Sequence, residues 1–229
     1  MRKGVSMEKK LSDTNTSSGR LLTTSIASPE TFDALVTLSD VGIDAAITSG
    51  AFDGVPIVGI LTGLARAGRH IKDELLVRKI ARFLDGLSST THEARQQFVD
   101  RLRANGKFDE FGETILLILD RIDDAKKPSI IGHLMAAHVE DKITYDEAIR
   151  LVAIVNRCYA PDLDYLAKFQ PGPQGQKQEI ADALFSAGLL RNCGIDGGTI
   201  GDAVSGGTVY DINRYAEMLI EHGLRQGRS

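Results

Sequence analysis

FDEFGETILLILDRI, residues 108–122, has the pattern of an amphipathic helix. Its apolar residues Phe108, Phe111, Ile115, Leu119 and Ile122 recur every three or four positions, which is the spacing of one face of an α-helix. The run from Ile115 to Leu119 is entirely aliphatic, and such a run suits a helix with little solvent around it. We therefore place this helix at the centre of a helical bundle.

Helical patterns continue on both sides of this segment, over residues 29–159. Their starts are marked by a Ser–Pro pair and by two pairs with capping-box spacing: Ser28–Pro29, Thr90–Glu93 and Thr144–Glu147. Short polar links with Asn and Gly separate the helices. Five or six helices with short connections are typical of a helical bundle, so residues 29–159 are predicted to form one.

The composition changes after Tyr159. Residues 160–175 are rich in Pro, Gly and Gln, which predicts a linker. Residues 176–229 then combine an amphipathic helix, a Gly-rich stretch with short β-prone pieces and a closing helix. This order of helix, hairpin and helix resembles part of a winged-helix domain. The predicted class is mainly α, a helical bundle followed by a small winged-helix-like α+β unit.

The first 28 residues are rich in Ser, Thr, Asn and Lys, with five basic and two acidic side chains. This composition predicts a disordered basic tail over 1–28. No apolar run follows the first basic residues, and no stretch of 18 apolar residues occurs, so neither a signal peptide nor a transmembrane helix is expected. Cys158 and Cys193 are isolated, as is usual in a reducing compartment. We expect a cytoplasmic protein, with a membrane-peripheral position as the alternative.

No pattern in the sequence predicts catalysis, a cofactor or a metal ion. Asp120 and Asp124 share a helix face, but acidic residues near a helix end, with lysines close behind, are read as surface charges. His133 and His138 are five residues apart, which turns them away from each other on a helix. The Gly-rich loop 194–207 lacks the spacing of a phosphate-binding loop. We therefore expect a non-enzymatic protein.

The segment GVPIVGILTGLARAG, residues 54–68, is the predicted contact surface. Small residues recur every fourth position there and let helix backbones approach closely, as in membranes. Residues 66–82 then carry six basic and two acidic side chains, a pattern suited to anionic lipid head groups. The predicted contact residues are Ile57, Gly59, Ile60, Gly63, Leu64, Arg66, Ala67, Arg69, Lys72, Arg78, Lys79 and Arg82.

Three functions remain open from the sequence. The first is a membrane-peripheral or conditionally membrane-acting protein of the stress or defence effector type, whose partner is an anionic membrane. The second is a scaffold or regulator that binds a protein partner or a second copy, since small residues also pack helices in soluble bundles. The third is a winged-helix regulator that binds DNA. Residues 160–229 hold six basic and nine acidic residues, so nucleic acid is the least expected partner.

Overall fold

The computed structural model describes residues 18–39, 70–198 and 206–224, with the backbone alone described at 36–39, 70–74 and 176. The chain divides into two compact units, Met1–Gly132 and His133–Ser229. The predicted class is confirmed, because helices dominate and a small antiparallel sheet follows them. The predicted contact surface, residues 54–68, lies outside the described residues.

All the regular secondary structure described in the first unit is helical. Its helices are α1 (residues 18–27), α2 (Pro29–Ser39), α3 (His70–Gly86), α4 (His92–Ala104), α5 (Phe108–Arg121) and α6 (Lys127–Val139), which continues into the second unit. Helix α5 packs against α3 and α4. Its Ile115 and Leu119 are fully buried, and Phe111 meets the ring of Phe98 edge to face at 5.2 Å. Leu117, on the opposite side of α5, is 48% exposed, so the helix keeps one solvent face.

Helix α1 occupies the end of the segment predicted as a disordered tail. The prediction followed the Ser and Thr content, but these hydroxyls bond to carbonyl groups one turn earlier in the same helix. Thr23 donates to Gly19 O at 3.1 Å, and Ser25 donates to Leu21 O at 2.9 Å. Leu22, on the same helix, is fully buried. Residues 1–17 lie outside the described residues.

Side-chain caps set two helix starts in this unit. Ser28 caps α2 as predicted, and its Oγ accepts the N–H of Thr31 at 3.3 Å. The start of α4 is one residue later than predicted, because Thr91 rather than Thr90 is the cap and accepts the Ala94 N–H at 3.1 Å. Thr90 instead belongs to the turn that ends α3, where its hydroxyl is buried and donates to Leu87 O at 2.7 Å.

Glycines allow two pairs of helices in this unit to touch through their backbones. A Cβ on Gly112 of α5 would lie 1.9 Å from the carbonyl oxygen of Gly19 in α1. A Cβ on Gly132 of α6 would lie 2.2 Å from the carbonyl oxygen of Phe83 in α3. Close helix packing through small residues is therefore present in this chain, at positions other than those that the sequence pattern singled out.

The second unit adds a three-stranded sheet to short helices. Its elements are α7 (Tyr145–Arg157), α8 (Ala160–Leu166), β1 (Gly172–Pro173), a 3₁₀ turn (Gly175–Lys177), α9 (Gln178–Ala187), β2 (Leu190–Asp196), β3 (Gly207–Ile212) and α10 (Arg214–His222). The capping box of Thr144 and Glu147 at the start of α7 is complete, as predicted. The strands are antiparallel in the order β1-β3-β2.

The segment predicted as a linker, residues 160–175, contributes to this unit. Helix α8 lies within it, and β1 pairs with β3 through Gly172 opposite Tyr210. Pro173 follows on the same strand, and proline is tolerated there because β1 is an edge strand whose outer N–H groups need no partner in the sheet. A composition typical of a linker is therefore compatible with a short edge strand.

Gly112→Ala tests the backbone contact between α1 and α5. Helix propensity alone favours alanine by about 1 kcal/mol, so without the contact the variant would be more stable. The new Cβ would instead clash with the carbonyl oxygen of Gly19, which cannot move aside as the end of a flexible side chain could. We expect the free energy of unfolding in urea to fall by about 2 kcal/mol as a net result.

Gly197→Ala is the control, because a Cβ there meets no heavy atom within 4 Å. Its free energy of unfolding is expected to stay within about 0.5 kcal/mol of wild type. An unchanged or raised stability of Gly112→Ala would show that the two helices do not touch at this point.

Candidate functional site

Most of the predicted contact residues lie outside the described residues. These are Ile57, Gly59, Ile60, Gly63, Leu64, Arg66, Ala67 and Arg69. Lys72 lies in α3, where only the backbone is described. The remaining three, Arg78, Lys79 and Arg82, lie further along α3 with half-buried side chains. Contact between these twelve residues and a membrane or a partner stays a prediction.

Lys79 and Arg82 make hydrogen bonds inside the first unit. The Lys79 ammonium donates to Asp120 O at 3.1 Å, and the Arg82 guanidinium donates to Ala125 O at 3.4 Å. Asp120 lies in the last turn of α5, where free carbonyl groups and the helix dipole favour a positive charge. Lys79 therefore stabilises the end of α5 and Arg82 the link that follows it, roles that charge patterning alone did not indicate.

The acidic residues after α5 are also engaged. Asp123 accepts a hydrogen bond from the buried Lys127 ammonium at 3.3 Å, and this bond lowers the pKa of the Asp123 carboxyl. Asp124 accepts the backbone N–H of Lys126 at 2.7 Å, a local turn that leads into α6. Within the described residues, no group of three or more His, Cys, Asp or Glu side chains is placed to hold a metal ion.

The hairpin of the second unit contains a β-bulge that redirects its side chains. Asn192 lies opposite Tyr210, but Gly194 lies opposite Val209, so one extra residue, Cys193, is inserted in β2. Side chains alternate between the faces of a strand. The insertion therefore brings Ile195, opposite Thr208, onto the face that carries Tyr210.

Helix α9 packs on that same face of the sheet. Phe185 of α9 contacts the Tyr210 ring at 5.4 Å between centroids, and Asp182 accepts the Tyr210 hydroxyl at 2.6 Å. This hydrogen bond to the carboxylate raises the pKa of Tyr210. Phe185 remains 42% exposed, and Ile195 on the hairpin is 84% exposed.

Acidic groups accompany these exposed apolar side chains. Glu179 and Asp182 are solvent-exposed on α9, and Asp196 follows Ile195 on β2. Helix α9 contains no Lys or Arg. We call Phe185, Ile195, Glu179 and Asp182 together the Ile195 surface. Exposed apolar side chains with carboxylates on the same helix suit a positively charged amphipathic partner.

Sequence reasoning missed the Ile195 surface because a β-bulge is not visible in a Gly-rich pattern. The stretch was predicted as a hairpin, and that prediction agrees with β2 and β3. Alternation alone would have placed Ile195 on the same face as Arg191. The available signal was the Asn-Cys-Gly sequence at 192–194, since Gly194 takes a φ of 118° that other residues rarely adopt.

A buried arginine is a second feature that the sequence reading missed. Arg95 in α4 is only 5% exposed, and its guanidinium lies 3.5 Å above the Phe32 ring. It donates to the carbonyl and the hydroxyl oxygen of Thr90, while its Nε has no hydrogen-bond partner. Burial lowers the pKa of Arg95, and the nearby charge of Glu93 opposes this shift. Arg95 shares a helix face with the buried Phe98, and that spacing was the available signal.

Comparisons with known protein families, with curated proteins and with solved structures find no match to this chain. Across residues 18–39, 70–198 and 206–224, no helix has the length and apolar character needed to cross a membrane.

Arg95→Ala and Arg95→Met test what the buried guanidinium contributes. Alanine leaves a cavity against Phe32 and is expected to lower the free energy of unfolding by about 3 kcal/mol. Methionine fills most of that volume and removes a buried charge that forms no ion pair with a carboxylate among the described residues, so its cost is expected to be less than half as large. Urea unfolding measures both. Equal losses for the two variants would show that the charge, rather than the volume, stabilises this site.

Proposed function

We propose that this protein is a non-enzymatic scaffold or regulator that binds a protein partner through the Ile195 surface of its C-terminal unit. The observation that carries the proposal is the 84% exposure of Ile195, which lies on the sheet face that α9 covers. A single exposed apolar residue is ordinary on a protein surface, but here Ile195 lies on the sheet face that α9 covers, and α9 carries a second one, Phe185. A bulge holds one of them there, and bulges are common where a side chain is redirected for function.

The proposed partner segment is basic and amphipathic. Its apolar side chains would cover Phe185 and Ile195, and its Lys or Arg side chains would face Glu179 and Asp182. Burying an isoleucine side chain contributes about 2 kcal/mol, while the surrounding charges mainly determine which partner is accepted.

The acidic character of α9 supports a protein partner over DNA. In a winged-helix domain that reads DNA, the helix before the hairpin must approach phosphate groups and needs positive charge. Helix α9 carries Glu179 and Asp182 and no basic residue.

The test uses a fluorescently labelled amphipathic peptide of Leu and Lys, with a peptide of Leu and Glu as the charge control. Anisotropy titration of the full chain is expected to show binding of the Lys peptide only, weaker at higher salt. Ile195→Asp should weaken that binding about tenfold or more. Leu117→Asp is the matched control, since Leu117 is an exposed apolar residue of the first unit, and its affinity should equal that of wild type.

Three results would contradict the proposal. They are no binding of the Lys peptide, equal binding of both peptides, or an Ile195→Asp variant that binds as tightly as wild type.

Membrane contact is a second candidate function, and the hydrogen bonds of α3 indicate which of its cations are best tested. The apolar run of residues 55–65 is followed by Arg66, Arg69 and Lys72, and this order suits an anionic lipid surface. Lys79 and Arg82 are committed to carbonyl groups of the first unit. Head-group contact is therefore best tested at Arg66, Arg69 and Lys72, which directly follow the apolar run, because reversing the charges of Lys79 and Arg82 would also remove hydrogen bonds of the fold.

Flotation with vesicles tests this second candidate. Vesicles of phosphatidylcholine with phosphatidylserine are expected to carry the wild-type chain upward, whereas the triple variant Arg66/Arg69/Lys72→Glu should stay in the dense fraction. The control variant Lys107/Arg121/Lys168→Glu makes the same change in net charge at exposed residues and should float like wild type. Failure of the wild-type chain to float, or equal loss in both variants, would exclude a specific contact.

A further inference from the structure

We propose that the free edge of β2 pairs with the β2 strand of a second copy, antiparallel, with Arg191 of each chain opposite Asp196 of the other. This inference goes beyond the proposed function. It uses the hydrogen-bonding edge of the strand, whereas the Ile195 surface is a face of the sheet.

The first observation is that β2 is an edge strand. In the order β1-β3-β2 it bonds to β3 on one side, and no other described strand lies along its second side. Six of its seven residues are exposed. Such an edge presents unpaired backbone N–H and C=O groups that can bond to another extended strand.

The second observation is the register that the bulge permits. Arg191 lies opposite Asp211 and Asp196 lies opposite Gly207, so both point away from the face that carries Tyr210. A two-fold axis perpendicular to the sheet keeps each residue on its own face, and directly opposed residues must share a face. Arg191 opposite Asp196 of a second copy meets this condition only because Cys193 is inserted between them.

The third observation is charge complementarity within the strand. Its second residue is Arg191 and its last is Asp196, and both side chains are exposed. Antiparallel self-pairing therefore forms two equivalent Arg–Asp pairs, one at each end. Arg191 already contacts Asp211 of its own chain, and a guanidinium has enough donors to bind two carboxylates. A strand that begins positive and ends negative complements its own copy better than a strand of uniform charge.

The remaining positions are compatible with this register. Asn192 would lie opposite Ile195 of the second copy, on the face that carries α9, and the bulged Cys193 would lie near the two-fold axis. A shift by one residue would place Arg191 opposite Ile195, which lies on the other face, so the mismatch disfavours that register.

A pair of charge-reversal variants tests the proposal by sedimentation velocity of the full chain. Wild type is expected to show a concentration-dependent dimer. Arg191→Asp alone would place Asp against Asp twice, and Asp196→Lys alone would place Arg against Lys twice. Each variant alone should dimerise about tenfold more weakly or worse. An equimolar mixture of the two should regain a heterodimer, because each chain then meets the opposite charge at both ends.

Circular dichroism establishes that each variant is folded, and Glu110→Lys is the control for the charge added at Asp196. Glu110 is exposed in the first unit, and this control should dimerise like wild type. A monomeric wild type, a dimer that neither reversal weakens, or a mixture that stays monomeric would each overturn the proposal. None of these outcomes depends on binding of the Leu and Lys peptide, so the test is independent of the proposed function.

Discussion

The contact between Gly19 and Gly112 sets how closely α1 can approach α5, and the first unit depends on that approach. Carbonyl and Cα atoms touch directly there, and no side chain could be inserted without moving a helix. The close approach lets Leu22 and Ile26 of α1 reach full burial. Protein interiors are close-packed, so one added methyl group at such a crossing would displace the neighbouring helices. Gly86 and Gly132 allow the same close backbone approach between α3 and α6.

In the second unit, the comparable constraint is the bulge at Cys193. The insertion turns Ile195 toward the α9 side of the sheet and leaves Arg191 and Asp196 together on the other side. The bulge therefore determines the side-chain arrangement of both surfaces for which we propose a role. The apolar face suits a basic segment, and the free edge suits a second copy. The two surfaces are compatible, since edge pairing about a perpendicular two-fold axis would bring both Ile195 side chains to one face of a continuous sheet.

The polar side chains of the first unit show how little a charge pattern says about exposure. Lys79 and Arg82 bind carbonyl groups at and beyond the end of α5, and Arg95 is buried against Phe32. Long basic side chains can cover apolar surface with their stems and bond with their ends, so a basic helix face can serve the fold instead of a ligand. Lys79 and Arg82 of α3 serve the fold of the first unit in this way.

The sequence by itself determined the helical class, the Ser28 cap, the capping box at Thr144 and the hairpin between α9 and α10. These features follow from local spacing and local hydrogen bonds, which a pattern of neighbouring residues encodes. Only the tertiary structure decided that residues 18–27 are a packed helix, that residues 172–173 join the sheet, and that Arg95 is buried while Ile195 is exposed. Each of these depends on which surface lies opposite, and contacts between distant parts of the chain leave no periodic signal in the sequence.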